Sequence, residues 1–283
     1  MGRNLHQYYY KDYFGEKPEE ILDPRDNQNR RRIHASLNWE DTKCKENPLI
    51  LKERNKRLIE RGLLKVIQNP VDTKDTFQLE IIYPGLVTGI GINHEATIEG
   101  EFKLGVHFDW TYGMPIIYGS SVKGVLRSWF TEFYEGDIDP IDLMMDIFEG
   151  VYDRDVKSEQ EKYKENWAEK VKKAENRIYK SRKSIYKRDI FFDAVIVEAD
   201  NKGRILVSDS ITPHDKNPLK NPTPITFLKI APGCKLEFRF KLHDSGFGDG
   251  KTLTALQKKT LFEEILKTIG IGAKTNVGYG QLK

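Results

Sequence analysis

Cysteine is scarce in this chain of 283 residues, which contains only Cys44 and Cys234. Two cysteines are too few for a framework of several disulfides or for a four-cysteine zinc site. Their scarcity fits a reducing compartment. Apolar residues make up 38% of the sequence. A chain of this size buries roughly three quarters of its unfolded surface, so its core needs neither disulfides nor a metal.

Long apolar runs are also missing. A membrane-spanning helix needs about 20 consecutive apolar residues, whereas the most apolar stretch, Ile190 to Val197, is short and interrupted by Asp193. The first residues, MGRNLHQYYYKDYF, contain no apolar segment of the kind found in secretory signals. His6 stands where an N-myristoylation signal needs Ser or Thr. We therefore expect a soluble, cytoplasmic protein with no membrane partner.

The sequence lacks the common signatures of nucleotide and metal sites. Neither GSSVKG nor GIGAKT fits the P-loop pattern G-x4-G-K-[ST]. The dinucleotide pattern G-x-G-x-x-G fails because His94 and Thr275 stand where its third glycine belongs. The histidines show no metal-ligand spacing, and no G-x-S-x-G motif of a hydrolase occurs. We expect no cofactor and no metal, and ATPases, dinucleotide enzymes and triad hydrolases are disfavoured.

Neither sign of charge predominates in the chain, because 46 Lys and Arg nearly balance 43 Asp and Glu. The net charge of +3 permits a polyanionic partner without requiring one. Residues 154–189 are far more basic, with 13 Lys or Arg, 7 Asp or Glu, and no Pro or Gly. Their apolar residues keep helical spacing, which predicts a long basic helix inserted in the domain. Such a helix is either solvated with one docking face or a surface for nucleic acid or a partner.

Hydrophobic periodicity predicts alternating strands and helices. Without insertions the order is β-α-β-β-α-β, the ferredoxin-like pattern, which RNA-recognition modules share. We expect an α+β fold of this type, with residues 1–70 as a partly helical N-terminal extension. Residues 71–283 would form a single domain with a charged helical insertion at about 150–189. The predicted helices cover 49–66, 120–130 and 252–269, and the predicted strands cover 76–87, 190–197, 204–208, 225–230 and 235–242. The turn Asn201-Lys202-Gly203 predicts that 204–208 returns as a hairpin against the strand before it.

The segment GSSVKGVLR, residues 119–127, predicts a helix start that binds an anion. Ser120 or Ser121 is expected to N-cap the helix, with Lys123 in the first turn and Arg127 one turn later. Free N–H groups, hydroxyls and cations together favour a phosphate. Gly124 costs about 1 kcal/mol against Ala inside a helix, which indicates close packing there. The alternative is an ordinary helix cap.

The tail GIGAKTNVGYG, residues 270–280, is richer in glycine than any other segment. Four glycines in eleven residues allow the backbone to approach another surface closely. Such a turn binds a phosphate backbone through its N–H groups. The alternative is that the glycines only permit tight turns and helix packing. The candidate contacts are Gly272, Lys274, Thr275, Asn276 and Gly278.

Residues 211–224 contain four prolines and predict a long loop, and such loops are often functional. His214 and Lys216 are expected to be exposed in it. His214 precedes Asp215, and His107 shares one side of a predicted strand with Asp109. Either histidine supplies a group that titrates near neutral pH for acid–base cleavage of RNA.

Four segments, in this order, resemble the RAMP superfamily of CRISPR proteins. They are PIIYGSSVKGVLR (115–127), IFFDAVIV (190–197), SDSITPH with PTPITFLKI (208–214 and 222–230), and the glycine-rich tail with its internal Lys274. The resemblance extends over residues 76–283. Within the superfamily it points to the sixth RAMP subunit of the type III-B Cmr effector complex.

This resemblance implies a ferredoxin-like RAMP fold with the glycine-rich loop beside the RNA-binding face. It implies a non-catalytic RNA-binding and assembly subunit that caps one end of the Cmr filament, toward the 3′ part of the guide RNA. Its partners would be guide RNA, other Cmr subunits and, as a further candidate, target RNA. Phosphates would be contacted by Lys123, Arg127 and Lys274, neutral donors would be Ser120, Ser121, Thr275 and Asn276, and His214 and Lys216 would face RNA or a neighbouring subunit.

Two alternatives stay open. One is a metal-independent RAMP endoribonuclease that processes guide RNA with His107 or His214 as the base. The other is a purely structural subunit whose basic helix docks an acidic partner.

Overall fold

A computed structural model of the chain describes residues 48–60, 73–89, 102–111, 113–151, 183–212, 224–247 and 250–283. Several expectations lie outside the described residues. They concern residues 1–47 with Cys44, residues 61–72, the basic segment from 152 to 182, and the proline-rich loop from 213 to 223 with His214 and Lys216.

The described helices are α1 (Pro48–Ile59), α2 (Gly119–Phe133), α3 (Pro140–Met144) and α4 (Ala255–Ile269). The strands are β1 (Asp75–Glu80), β2 (Lys103–Leu104), β3 (His107–Phe108), β4 (Pro115–Ile117), β5 (Ile190–Phe191), β6 (Ala194–Glu198), β7 (Leu206–Ile211), β8 (Ile225–Ile230), β9 (Lys235–Lys241), β10 (Ser245–Gly246) and β11 (Thr252–Leu253).

The main sheet is antiparallel, in the order β1-β9-β6-β4-β3, with β5 also beside β9. Strands β1 and β9 pair from Asp75 opposite Phe240 to Glu80 opposite Lys235. The C-terminal residues extend this sheet on the other side of β1, because Ile81 pairs with Leu282. The predicted last strand therefore lies beside the first one.

A second sheet contains β2, β8 and β7 in that order. It changes one sequence expectation, because residues 204–208 were predicted to return as a hairpin against the strand before them. Strand β6 lies in the main sheet, whereas β7 pairs with β8. The cause is the turn between them, where the Asp200 carboxylate accepts the N–H groups of Lys202 and Arg204 at 3.0 and 2.7 Å. This turn directs the chain from one sheet to the other.

Helices α2 and α4 contact each other and pack on the main sheet, α2 against β5 and α4 against β1. Aromatic rings fill the space between them, with Phe191 and Phe240 each within 5.8 Å of Phe262, centroid to centroid. Leu58 of α1 is fully buried in the same core, so this part of the N-terminal region packs on the domain.

Two helix boundaries differ from expectation. Helix α4 begins at Ala255 because Thr254 and Gln257 form a reciprocal capping box, and the residues before them form β11. The described end of the basic segment is a 3-10 turn, Ile185–Lys187, and not the predicted α-helix. Among the described residues, no helix is both long and apolar enough to cross a membrane.

Candidate nucleic-acid interface

The glycine-rich loop, residues 270–280, is held at both ends by backbone hydrogen bonds. Ile271 N–H donates to Gly280 O at 2.9 Å, and Gly280 N–H donates to Gly85 O at 2.8 Å. A Cβ atom on Gly280 would lie 1.8 Å from Ile271 O, and φ there is +71°, so a side chain is excluded. The ends of the loop thus use glycine for tight packing.

The middle of the loop is built differently. Lys274 has φ +61° and is the single non-glycine residue with positive φ in the described parts of the chain. It precedes a 3-10 turn, Thr275–Val277. No described atom accepts a hydrogen bond from the backbone N–H groups of Lys274, Thr275 and Asn276. Successive unpaired N–H groups beside a lysine form an arrangement that binds anions.

A polar cluster of Asp209, Lys229 and Tyr279 supports the glycine-rich loop. The Tyr279 hydroxyl donates to Asp209 Oδ2 at 2.6 Å, and Lys229 Nζ donates to the same oxygen at 2.5 Å. Lys229 Nζ also lies 5.3 Å from the centroid of the Tyr279 ring. Burial works against the Asp209 carboxylate, but the hydrogen bonds from Lys229 and Tyr279 outweigh it and lower its pKa. Burial and the bond to Asp209 raise the pKa of Tyr279 to about 12.

Helix α2 begins in a way the sequence did not predict. Its N-cap is Tyr118, whose side chain makes no capping bond, so the expectation that Ser120 or Ser121 caps the helix is wrong. The Asp193 carboxylate accepts the Gly119 N–H at 2.7 Å instead. Gly119 permits this approach, because a Cβ atom there would lie 2.2 Å from Phe191 O.

This arrangement leaves a smaller anion site at the helix start than the sequence predicted. The Ser121 N–H donates to Tyr118 O at 2.8 Å, and a carboxylate already occupies the Gly119 N–H. The side chains of Ser120 and Ser121 are exposed, and Lys123 is half-exposed one turn away. Two hydroxyls, one lysine and the Ser120 N–H, which has no acceptor among the described residues, are therefore the groups this helix start offers to a ligand.

Two further expectations about α2 change. Arg127 forms an ion pair with Glu149 on the π-helical turn Met145–Glu149, with Nε 3.1 Å from Oε1. Its charge is thus partly neutralised within the protein. Close packing at Gly124 is contradicted, because a Cβ atom there would meet nothing within 4 Å.

The loop and the helix start are linked by a chain of direct contacts. Ala273 N–H donates to Val87 O at 2.7 Å, and the neighbouring Thr88 Oγ1 accepts the His107 N–H at 2.6 Å. The His107 ring lies 4.9 Å from the ring of Tyr118, the N-cap of α2. The two predicted anion-binding segments are therefore connected through residues 87–88 and His107.

His107 sits in the middle of this chain of contacts. Burial lowers its pKa, and a backbone hydrogen bond at Thr88 partly offsets this. Asp109, its predicted partner, uses Oδ1 to accept the Thr111 N–H at 2.8 Å in the turn before β4. His214 and Lys216 lie outside the described residues. Within the described parts, no group of three His, Cys, Asp or Glu side chains is placed to hold a metal ion.

Sequence reasoning missed the residues that support the site. Asp193 and Lys229 each interrupt an apolar stretch, which marks them as unusual, but the sequence does not show which groups they contact. Asp209 gave no such signal, because it lies between Ser208 and Ser210. Tyr279 stands between Gly278 and Gly280. A large aromatic side chain in a glycine-rich loop indicates a residue that packs against the rest of the domain.

Comparison with known proteins gives one family. The model of the RAMP superfamily matches residues 78–283. No curated protein matches the chain.

Two solved structures are similar to parts of the chain. The cryo-EM structure of the Type III-B Cmr-beta bound to cognate target RNA is 19% identical with a TM-score of 0.43, and the match covers 74% of this chain and 57% of that chain. The crystal structure of Cmr6 from Pyrococcus furiosus is 21% identical with a TM-score of 0.34, and the match covers 73% of this chain and 96% of that chain. The match thus spans little more than half the length of the first of these structures.

Proposed function

Because the chain belongs to the RAMP superfamily, we propose that it is a non-catalytic RNA-binding and assembly subunit of a type III-B CRISPR (Cmr) effector complex. In this role it contacts the 3′ part of the guide RNA and caps one end of the filament. The four sequence segments that resemble the sixth RAMP subunit support this assignment.

One observation carries the RNA-binding part of the proposal. The N–H groups of Lys274, Thr275 and Asn276 have no acceptor among the described residues, and they stand beside a lysine ammonium. Phosphate is the anion that such a nest of amides and a cation fits. Gly272 and Gly278 flank this segment, and we propose that their backbones contribute to the interface. Gly272 is also required by internal packing, because a Cβ atom there would lie 2.4 Å from Val87 O.

The helix start extends the proposed interface. Ser120, Ser121 and Lys123 would give hydroxyl donors and one charge to a second phosphate. Arg127 would contribute only after its ion pair with Glu149 opens, so we assign it a smaller share. His214 and Lys216 belong to the loop between β7 and β8, and β7 also carries Asp209, the anchor of Tyr279. We propose that this loop adds contacts to RNA or to a neighbouring subunit.

We also propose that residues 71–283 form one ferredoxin-like domain. The first strand β1 lies between the C-terminal residues and β9, and β6 follows β9. This order, with α2 after β1 and α4 after β9, supports the β-α-β-β-α-β arrangement.

The test is a titration of the full chain with single-stranded RNA at several salt concentrations. Lysine–phosphate contacts release counterions, so affinity falls with salt with a logarithmic slope of about −0.7 per contact. We expect the double variant Lys123→Ala/Lys274→Ala to bind more weakly and to show a slope smaller by about 1.4.

The matched control is Lys251→Ala/Lys259→Ala, which removes the same charge near the start of α4. That helix is about 22 Å long and separates these lysines from the glycine-rich loop. The proposal is wrong if both double variants bind RNA as the wild type does.

The endoribonuclease alternative is favoured by one observation, the position of the His107 imidazole between the loop and the helix start. The test is incubation of the purified chain with repeat RNA in EDTA. Site-specific cuts that disappear in His107→Ala would replace our proposal with this one. We expect intact RNA with the wild type and the variant alike.

A further inference from the structure

Tyr83 is the most exposed large apolar side chain among the described residues, at 83%. Its backbone is nevertheless fixed on both sides. Ile82 N–H donates to Gln281 O at 3.1 Å, and Gly85 N–H donates to Ile82 O at 2.9 Å. A ring held on a fixed turn and left in solvent does not stabilise the core, and such a residue is a candidate for binding.

The position of the turn that carries Tyr83 indicates the chemistry of the ligand that this ring contacts. Pro84 Cδ lies 3.8 Å from the place of a Cβ atom on Gly278, and Gly85 accepts the Gly280 N–H. The Tyr83 turn therefore abuts the glycine-rich loop at the end of its anion-binding segment. Val277, the last residue of the 3-10 turn Thr275–Val277, is also 63% exposed. An apolar and aromatic surface thus lies next to phosphate-binding groups.

Single-stranded nucleic acids offer this combination of chemistries, because each nucleotide joins an anionic phosphate to a flat base. Proteins that bind single strands combine cationic grooves with aromatic rings on which bases stack. We propose that the Tyr83 ring stacks on a nucleobase of the RNA strand whose phosphates lie at Lys274 to Asn276. This inference rests on the proposed function, and it adds a base contact to an interface built from backbone contacts.

The experiment uses the full chain and two fluorescent probes of about 15 nucleotides. One is oligouridine and the other is an abasic ribose-phosphate oligomer of the same length. Tyr83→Ala should weaken oligouridine binding about 5- to 150-fold, because this is the range that stacking of one base on an aromatic ring contributes. Tyr83→Phe, which keeps the ring, should stay within about twofold of the wild type. The abasic oligomer should bind the wild type and Tyr83→Ala equally.

The matched control is Leu256→Ala. Leu256 is 66% exposed, and it lies in the first turn of α4, close in sequence to the control lysines Lys251 and Lys259. We expect no change in its affinity for either probe. The thermal midpoint of Tyr83→Ala should equal that of the wild type, because removal of an exposed ring leaves no cavity.

The salt dependence separates this inference from the proposed function. Tyr83 carries no charge, so Tyr83→Ala should lower affinity at every salt concentration and leave the slope unchanged. If Lys123→Ala/Lys274→Ala lowers affinity and slope but Tyr83→Ala binds oligouridine normally, the stacking inference is wrong and the proposed function stands. Equal losses on both probes would also overturn stacking. A wild-type chain that binds neither probe would refute both.

Discussion

The Tyr279 hydroxyl donates a 2.6 Å hydrogen bond to Asp209 Oδ2, and this contact ties the glycine-rich loop to the hairpin of β7 and β8. The hairpin also carries the proline-rich loop, which leaves β7 after Ile211. The glycine-rich loop is therefore held, through one partly buried carboxylate, to the strand that precedes the proline-rich loop in the sequence.

The first prediction concerns the stability of this link. Tyr279→Phe removes one hydrogen bond and should lower the free energy of unfolding by about 0.5–1.5 kcal/mol. Asp209→Asn leaves the buried Lys229 ammonium without its counter-charge, and should cost about 3–5 kcal/mol. Urea denaturation measures both changes. Ser210→Ala is the control, because its exposed hydroxyl faces only the Thr226 hydroxyl. Equal stability of Asp209→Asn and Ser210→Ala would contradict the role of the carboxylate.

The second prediction is the pH dependence of the same link. The pKa of Asp209 is lower in the folded chain than in the unfolded one. Its stabilising contribution is therefore complete above the unfolded value, about 3.9, and is lost as the pH falls through the folded value. The stability difference between the wild type and Asp209→Asn should be constant from about pH 5 to 8 and shrink below about pH 4. A difference that stays constant down to pH 2 would argue against this cause.

The third prediction separates stability from binding at Lys274. The left-handed conformation costs a non-glycine residue roughly 1–2 kcal/mol, and glycine costs about 0.4–1 kcal/mol through the unfolded chain. Lys274→Gly should therefore be about 0–1.6 kcal/mol more stable than the wild type, whereas Lys274→Ala should be unchanged. Both variants should bind RNA more weakly to the same extent, because both lose the ammonium. Normal RNA binding by Lys274→Gly would show that the strained lysine has no role in binding.

Local patterns in the sequence predicted the elements that depend on their own residues. The helix predicted over 120–130 is present within α2, where Val122, Leu126 and Phe130 are buried, and strand β8 has the predicted bounds. The glycine-rich turn follows α4, and Leu282 beyond it pairs with Ile81. Periodicity and turn residues carry this information, because each element presents its own buried face.

The errors arose where a distant residue decides the outcome. A serine cap was a sound local prediction, but Asp193, 74 positions from Gly119, supplies the carboxylate instead. The hairpin after β6 failed because β7 finds a better partner in β8. Arg127 was assigned to RNA because nothing local shows that Glu149 lies beside it. Local propensity does not encode such contacts, and they determine the shape of the candidate site.

The fourth prediction concerns helix α2 and compares two of its glycines. Gly119 is closely packed, whereas Gly124 faces open space. Gly119→Ala places a Cβ atom against the Phe191 carbonyl, and such overpacking costs about 1–3 kcal/mol. Asp193→Ala removes the carboxylate that accepts the Gly119 N–H, and loss of a cap costs about 0.5–2 kcal/mol. Gly124→Ala is the matched control, because it enters open space in a helix interior and should stabilise the protein by about 1 kcal/mol. Thermal unfolding measures all three, and destabilisation by Gly124→Ala would contradict its open surroundings.

A buried ion pair, Lys258 with Asp189, lies at the C-terminal end of the basic segment. Lys258 Nζ donates to Asp189 Oδ2 and to His243 O, both at 2.6 Å. Lys183 pairs with the buried Asp146 nearby, and its N–H donates to Gly150 O at 2.8 Å. Lys258 shares a helical stripe with Phe262 and Ile265, so its burial follows from its position on α4. Burial lowers the pKa of Lys258 and raises that of Asp189.

The fifth prediction follows from these opposite shifts, which show that burial disfavours both charges. Lys258→Met leaves the Asp189 carboxylate buried and unpaired, and should lower the free energy of unfolding by about 3–5 kcal/mol. The double variant Lys258→Met/Asp189→Leu removes both charges and should recover most of that loss. A double-mutant cycle in urea denaturation measures the coupling, with Lys259→Ala, on the half-exposed neighbouring position, as the control. Additive losses in the double variant would mean that the two side chains do not act as a pair.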